Sequence, residues 1–302
     1  MANYNHRVGE KWLTNEGYWV EIIEYFTALN CTIIFDDGVI MYNIKYSRFE
    51  KGTISKPKNR LGKVFTTTEG CKYTIIAYRK ATDIDIQFED GTILYNRQYG
   101  DTRMGSVKNP YYKSKYGVGY LGIGKHKSTL DGVDTPMYVS WTSMIGRCYN
   151  VNSGNYYNYA DCSVDEKWHN YQVFGDWFDE NYKSHMQSWH LDKDILKKGN
   201  KIYSPSTCCF VPQEINGLFT KCDKKRGIYP IGVYKVKNRY VAQISINSSR
   251  TKSLSFSTPE EAFYTYKTAK ENNIKNVADR WKGQITEPCY EAMYNYEVEI
   301  TD

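Results

Sequence analysis

Long apolar runs are missing from this sequence of 302 residues. No stretch approaches the roughly 20 apolar residues that a membrane-spanning helix needs, and the segment from Met1 to Arg7 contains no apolar signal core. We therefore expect a protein that stays in the cytoplasm in which it is made and has no membrane partner.

Metal-type cysteine pairs are missing as well. The eight cysteines are scattered without a Cys-x-x-Cys pair, and only two of them are adjacent. This pattern favours reduced thiols over a disulfide framework. Zinc binding would require the fold to bring several thiols together, and their spacing gives no such signature. The sequence therefore predicts buried cysteines at Cys148, Cys162, Cys208 and Cys209.

Tyrosine, in contrast, is abundant. The chain has 29 tyrosines and 11 phenylalanines, more than a core of this size requires, so some aromatic side chains must lie on the surface. Exposed aromatic rings stack on nucleic-acid bases or form protein interfaces, and composition leaves both roles open.

Positive charge is concentrated in one segment. Residues 221–283 contain 14 Lys and Arg against 5 Asp and Glu, whereas residues 284–302 contain five acidic residues and no Lys or Arg. Residues 1–220 have a net charge of only +2. Any electrostatic attraction to nucleic acid is therefore expected from residues 221–283.

The N-terminal part repeats itself with a period of 53 residues and no gap. In each copy a β-prone run ends at an Asp-Gly pair, Asp37-Gly38 or Asp90-Gly91, which is a strong hairpin signal. Each copy therefore predicts a small antiparallel sheet of four or five strands. The expected role is structural or protein-binding, with nucleic-acid contact through tyrosines as the alternative. Matching positions include Gly9 and Gly62, Tyr25 and Tyr78, Phe35 and Phe88, and Tyr46 and Tyr99.

Residues 141–220 have a different, mixed pattern. Helical spacing occurs at 141–149 and 171–182, followed by two short β-prone segments and a helix beginning near Gln213. Trp-x-x-Met-x-x-Arg-Cys-Tyr, a Trp-Phe segment, Leu-Asp-Lys-Asp, Tyr-x-Pro and Gln-x-x-Asn occur in this order. The order resembles the phage His-Asn-His (HNH) homing-endonuclease family over about 80 residues.

That resemblance implies a ββα unit in which a histidine activates water and one divalent ion sits on the scissile phosphate. His190, Asp192 and Asn216 would be the catalytic residues. Asp192 and Asp194 would bind Mg²⁺, because alternation points both to the face of His190.

Several residues depart from the family pattern. Thr207 occupies the position at which the family commonly has Asn. The helix of the ββα unit supplies a second histidine in the family, whereas here it has Gln213 and Asn216. The two aspartates would equally well pair with Lys193, Lys197 or Lys198. Two interpretations remain. The module is a Mg²⁺-dependent DNA endonuclease, or it is a scaffold without catalytic activity.

Residues 228–283 predict three antiparallel strands and a helix. Thr258-Pro259-Glu260-Glu261 is a capping box with proline at the first helical position. An apolar stripe then predicts a helix that covers one sheet face, and it consists of Ala262, Tyr266, Ala269, Ile274, Val277 and Trp281. The order of Gly-Val-Tyr and Phe-x-Thr-x-Glu-Glu-Ala resembles the Apetala-type DNA-binding domain over about 55 residues.

In that family the exposed sheet face enters the major groove. By position the resemblance implies DNA contacts from Lys235, Lys237, Arg239, Gln243 and Arg250. Alternation also places Val241, Gln243 and Ser245 on one face of the middle strand, with Tyr240, Ala242, Ile244 and Ile246 on the other. A solvated basic face without a ligand is the alternative.

Together these patterns predict an α+β, multidomain chain. The expected parts are β-repeats at 1–59 and 60–112, a degenerate HNH-like module at 113–220, and an Apetala-type module with an acidic tail at 221–302. Binding of double-stranded DNA is the leading expectation. The alternative is a silent phage protein that binds and inhibits a host protein complex, such as an anti-phage defence system. A homo-oligomer is compatible both with DNA binding and with inhibition of a host protein complex.

Overall fold

The structure is a computed structural model that describes residues 6–57, 60–154, 156–219, 228–246 and 249–302, without the side chains of 244–253. The chain has the predicted α+β architecture, with several small antiparallel sheets and helices between them. It divides into two compact units between Asn109 and Pro110. Among the helices of the described ranges, none is long and apolar enough to cross a membrane.

In the first unit each repeat forms its own four-stranded antiparallel sheet, which confirms the repeat prediction. The strand order is sequential in both sheets, and every element of the second copy lies 53 residues after its counterpart. The first copy contains β1 (Lys11–Leu13), β2 (Trp19–Thr27), β3 (Asn30–Phe35), β4 (Ile40–Ile44) and α1 (Tyr46–Glu50). The second contains β5 (Val64–Thr66), β6 (Lys72–Lys80), β7 (Asp83–Phe88), β8 (Ile93–Arg97) and α2 (Tyr99–Arg103).

The predicted Asp-Gly turns close a hairpin in both sheets. Gly38 and Gly91 each have a φ of +86°, a value that glycine adopts without steric cost. The inner faces are made of alternating apolar residues, including Val20 and Ile22 in the first copy and Tyr73 and Ile75 in the second. The local, period-2 pattern of the sequence therefore accounts for which sheet face is buried.

A cation–π contact is repeated in the two copies. The Arg7 guanidinium lies 3.8 Å from the centre of the Tyr46 ring, and the Arg60 guanidinium lies 3.5 Å from that of Tyr99. Such a contact contributes about 0.5–1 kcal/mol at a partly exposed site. Both arginines occupy the same place in the 53-residue period, although the sequence patterns considered above did not single them out.

The second unit begins with a helical core. The first elements are β9 (Thr129–Leu130), β10 (Val133–Asp134), α3 (Pro136–Tyr149), β11 (Ser163–Val164) and α4 (Tyr171–Asn181). Both helices start at a side-chain cap: Thr135 accepts from the Tyr138 N–H, and Asn170 accepts from the Gln172 N–H. Buried aromatic rings join the two helices, and Trp141 Nε1 donates to the Trp168 carbonyl at 2.7 Å.

The remaining elements are β12 (His190–Asp192), β13 (Ile202–Tyr203), β14 (Cys209–Val211), α5 (Gln213–Phe219), β15 (Val233–Val236), β16 (Arg239–Ile246), β17 (Ser249–Phe256), α6 (Pro259–Trp281) and α7 (Glu287–Tyr294). Strand β12 pairs antiparallel with β14, and α5 follows directly. The three strands β15, β16 and β17 form one antiparallel sheet. Both the predicted ββα order and the predicted three-stranded sheet are present.

Helix α6 differs from its prediction. Its capping box is present, because Thr258 accepts from the Glu261 N–H while the Glu261 carboxylate accepts from the Thr258 N–H. The apolar stripe, however, does not cover the sheet along its whole length. Ala262 and Tyr266 pack on the sheet, whereas Ile274 and Val277 pack against β14, α5 and α7. The predicted boundary near residue 220 is therefore bridged by a shared core.

The acidic C-terminal segment is folded onto the same unit. Lys198 Nζ lies 2.7 Å from Asp302 Oδ2, and Lys267 Nζ donates to the Val298 carbonyl at 2.8 Å. Val298 itself is buried in the core of the sheet and α6. These contacts hold residues 295–302 against the protein instead of leaving them as an extended tail.

The start of β15 allows a direct test of the packing between the sheet and α6. Gly232 has a φ of +74°, and a Cβ at this position would overlap the Tyr266 ring. We expect Gly232→Ala to destabilise the second unit by about 1–3 kcal/mol from backbone strain alone. Urea-induced unfolding followed by circular dichroism measures the change.

Gly217→Ala is the matched control, because Gly217 lies inside α5 and an added Cβ there meets no atom within 4 Å. Its stability should be unchanged or slightly higher, since alanine favours the helix. Equal unfolding midpoints for Gly232→Ala and the unsubstituted chain would contradict the proposed packing.

Candidate functional site

The ββα unit places two of the predicted catalytic residues on one face. His190 pairs with Val211 and Asp192 pairs with Cys209, while Leu191 between them is buried. His190 and Asp192 are both half-buried, as alternation predicts for one partly exposed face. Asn216 lies in α5, which packs against β12.

Asp194 does not continue this row, contrary to the prediction. Asp192 Oδ1 accepts the backbone N–H groups of Asp194 and Ile195, both at 2.9 Å, and this turn ends β12. An aspartate that binds two consecutive N–H groups is a local turn cap. The chain therefore leaves the strand direction before Asp194.

A lysine pairs with one of the two aspartates that the resemblance assigns to the metal. Lys193 is only 7% exposed, and its Nζ lies 3.1 Å from Asp194 Oδ2. This pairing is one of the alternatives that the sequence left open. The Lys193 ammonium therefore neutralises one of the two carboxylates that the resemblance assigns to Mg²⁺. In the part of the chain that the structure describes, no group of three or more His, Cys, Asp or Glu side chains is arranged to hold a metal.

A second cation stabilises the same region from α3. Arg147 donates through Nη1 to the Tyr203 hydroxyl at 3.0 Å and to the Leu191 carbonyl at 3.4 Å. Burial raises the pKa of the Tyr203 hydroxyl. The motif Trp-x-x-Met-x-x-Arg-Cys-Tyr thus contributes an arginine that ties α3 to β12 and β13.

The four cysteines of this region are buried, and each is below 7% exposed. Burial raises the pKa of the Cys148 and Cys208 thiols to about 12. Thiols of this kind are protonated at neutral pH, which makes them poor nucleophiles.

The β15–β17 sheet separates the predicted DNA-contacting residues. Tyr240 and Ala242 face α6, so Arg239 and Gln243 lie on the opposite, outer face, and both are exposed. This confirms the faces predicted for Tyr240, Ala242 and Gln243. We call the outer face, with Tyr234, Val236, Arg239, Val241, Gln243 and Ser255, the reading face.

Two predicted residues have other positions, and the prediction for a third, Arg250, lies outside the described side chains. Lys235 pairs with Tyr240 and its Nζ lies 5.6 Å from that ring, so it does not share a face with Arg239. Lys237 is exposed in the hairpin turn, with a φ of +52°. Arg250 belongs to β17, and its side chain lies outside the described residues.

A residue that the sequence did not indicate orients Arg239. Arg239 Nε donates to Ser255 Oγ at 2.7 Å, and its Nη2 donates to the Ser255 carbonyl at 3.0 Å. The two residues are adjacent diagonally because Val241 pairs with Ser255. This contact depends on the register between β16 and β17, which no local sequence pattern determines.

Comparisons with protein-family models, with curated proteins and with solved structures find no match to this chain.

The environment of Asp192 predicts a pH-dependent stability. Burial and the neighbouring Asp194 raise the pKa of this carboxyl to about 6, above its ordinary value of 3.8. The stability that the protonated Asp192 carboxyl contributes is fully present below pH 4 and is lost as the pH rises through 6. We expect Asp192→Asn to be more stable than the unsubstituted chain at pH 7.5, by about 1–3 kcal/mol, because the amide oxygen still accepts both N–H groups.

Urea unfolding at pH 4.5 and pH 7.5 tests this expectation, and the gain should shrink at the lower pH. Asp131→Asn, in the exposed turn between β9 and β10, is the control and should be neutral at both values. A loss of stability in Asp192→Asn at pH 7.5 would show that the charged form is the one that the fold requires.

Proposed function

We propose that this protein binds double-stranded DNA through the reading face of the β15–β17 sheet, in the cytoplasm of an infected host cell. The observation that carries the proposal is the position of Arg239 and Gln243, which are both exposed on the face that α6 leaves open. Helix α6 covers the other face and fixes the sheet as a platform.

The geometry of the two side chains suits base recognition. Arg239 uses two donor positions on Ser255, which restricts its torsions and leaves other guanidinium N–H groups for a guanine. Gln243 is four residues further along β16, about 13 Å away at the rise of an extended strand. That spacing corresponds to about four base pairs of a duplex at 3.4 Å per step.

Charge and resemblance support the same proposal. Residues 221–283 have a net charge of +9, whereas the rest of the chain is close to neutral. Phosphate neutralisation by such a segment gives affinity that falls steeply with salt. The order of strands and helix is the one that the Apetala-type resemblance implies.

For the ββα unit we propose a role as scaffold without DNA cleavage. Lys193 holds the carboxylate of Asp194, and Asp192 Oδ1 is occupied by two backbone N–H groups. These contacts engage one oxygen of each carboxylate, and the Lys193 ammonium disfavours a divalent ion beside Asp194. The HNH-type nuclease is therefore the less favoured alternative.

Binding of a fluorescent duplex across a salt series tests DNA recognition. We expect Arg239→Ala to weaken binding about tenfold, since one bidentate base contact is worth about 1–3 kcal/mol. Lys235→Ala removes the same charge from the same hairpin but from the other face, so its effect should be clearly smaller. Equal effects of the two substitutions would show that binding depends on positive charge alone and not on the reading face.

The same samples test catalysis when Mg²⁺ and supercoiled plasmid are added. The expected result is binding without nicking. Nicking that disappears in His190→Ala would instead establish the endonuclease. Absence of any binding at low salt would contradict DNA recognition itself.

A second function, binding of a host protein such as a component of a defence complex, is favoured by the outer sheet face of the first repeat. Leu13 and Trp19 are opposite each other on β1 and β2, and they are 48% and 54% exposed. The second repeat has Thr66 and Lys72 at these positions. Apolar area on an exposed sheet face is typical of a protein interface.

Replacing these residues by those of the second repeat gives the variant Leu13→Thr/Trp19→Lys. We expect it to lose capture of a specific host protein, while its stability and DNA affinity stay unchanged, because the same fold already accepts both residues. Capture from host lysate followed by a binding assay with the purified candidate measures this loss. Val64→Thr, which removes an exposed apolar residue from the second repeat, is the control, and an equal loss there would contradict the assignment.

A further inference from the structure

A cavity of about 390 Å³ opens beside the first turn of α3 in the second unit. Its walls are mainly apolar and consist of Leu130, Pro136, Met137, Phe178 and Tyr182. The volume lies within the range of sites that bind small molecules. Neither DNA binding by the reading face nor the ββα unit uses this cavity.

The rim of the cavity is built by hydrogen bonds, although residues 121–128 form no helix or strand. Gln172 on α4 accepts from the His126 N–H at 2.9 Å and donates to the carbonyl groups of Leu121 and His126. The Tyr171 hydroxyl donates to the Lys127 carbonyl at 2.9 Å. Two neighbouring side chains of one helix therefore fix this segment, and the rim of the cavity is held by the protein's own hydrogen bonds.

A glycine in α4 makes room for one wall. A Cβ at Gly175 would lie 2.5 Å from His126 Cδ2 and 2.9 Å from Met137 Sδ. Glycine inside a helix costs about 1 kcal/mol relative to alanine. Here it allows the imidazole ring and the methionine to lie directly on the helix, and both line the cavity.

The polar groups of the rim differ in how they are paired. The His126 side chain is 6% exposed, and its Nε2 lies 2.9 Å from Asp176 Oδ1, which also accepts from Lys125 Nζ at 3.1 Å. Lys127 lines the same cavity and is exposed. Among the described residues, no carboxylate lies within ion-pair distance of Lys127, so its charge is available at the cavity mouth.

We propose that this cavity binds a small aromatic molecule that carries one anionic group. The apolar walls would take the ring, and Lys127 would pair with the carboxylate, sulfonate or phosphate at the mouth. The apolar lining excludes strongly polar ligands such as free sugars, because burying unpaired hydroxyl groups is unfavourable. This binding site is independent of the proposed function.

Methyl NMR of the full chain, labelled at its methionine methyl groups and titrated with 2-naphthoate, tests the proposal. We expect a saturable shift of the Met137 resonance, which Met137→Leu assigns, while Met41, Met104 and Met293 stay unchanged. Lys127→Gln should weaken binding about fivefold, the effect of one partly exposed ion pair. Lys167→Gln, at an exposed lysine elsewhere in the same unit, should leave it unchanged.

Two further measurements distinguish the contribution of the aromatic ring to binding from that of the anionic group. The neutral analogue 2-naphthamide should bind about fivefold more weakly than 2-naphthoate, and Gly175→Ala should abolish the Met137 shift by moving two wall residues. No saturable shift at millimolar 2-naphthoate would overturn the proposal. Equal binding of the amide and the acid, or equal affinity of the Lys127→Gln and Lys167→Gln variants, would also overturn it.

Discussion

Helix α6 is the constraint on which the second unit depends, because one rigid element belongs to two cores. Its 23 residues span about 34 Å at 1.5 Å per residue. The first turns pack on the β15–β17 sheet, and the later turns pack with β14, α5 and α7. Glu214 on α5 holds the far end by accepting from Arg280 and Trp281. The sheet therefore cannot reorient without disrupting the core beneath the ββα unit.

This coupling gives the ββα unit a structural role that does not depend on catalysis. The unit supplies Val211 and Ile215 to the core that anchors α6, so its strands and helix are needed for the position of the sheet. Lys193 and Arg147 stabilise the same region through an ion pair with Asp194 and a hydrogen bond to the Tyr203 hydroxyl. An apolar core and a buried cation are both compatible with a scaffold, whereas Mg²⁺ requires open carboxylate oxygens.

The sequence predicted the features that local patterns determine. The repeat sheets, their Asp-Gly turns, the capping box of α6 and the order of the ββα unit follow from short-range periodicity and turn chemistry. Other features depend on tertiary context. The stripe of α6 indicates which side is buried but not that Ala262 and Ile274 contact different partners. The position of Lys235 depends on strand register, and that of Asp194 depends on the turn that Asp192 makes.

Comparison of the two repeats distinguishes the residues that the fold requires from the residues that vary on the surface. Buried positions match between the copies, as at Ile33 and Ile86 or Phe35 and Phe88, and so do the cation–π contacts of Arg7 and Arg60. The outer faces differ at several positions: Trp19 corresponds to Lys72, and Ile34 corresponds to Gln87. Because the second copy forms the same sheet with polar residues there, the apolar residues of the first copy are not needed for folding. Their presence in water is unfavourable, and a contact that covers them would remove that cost.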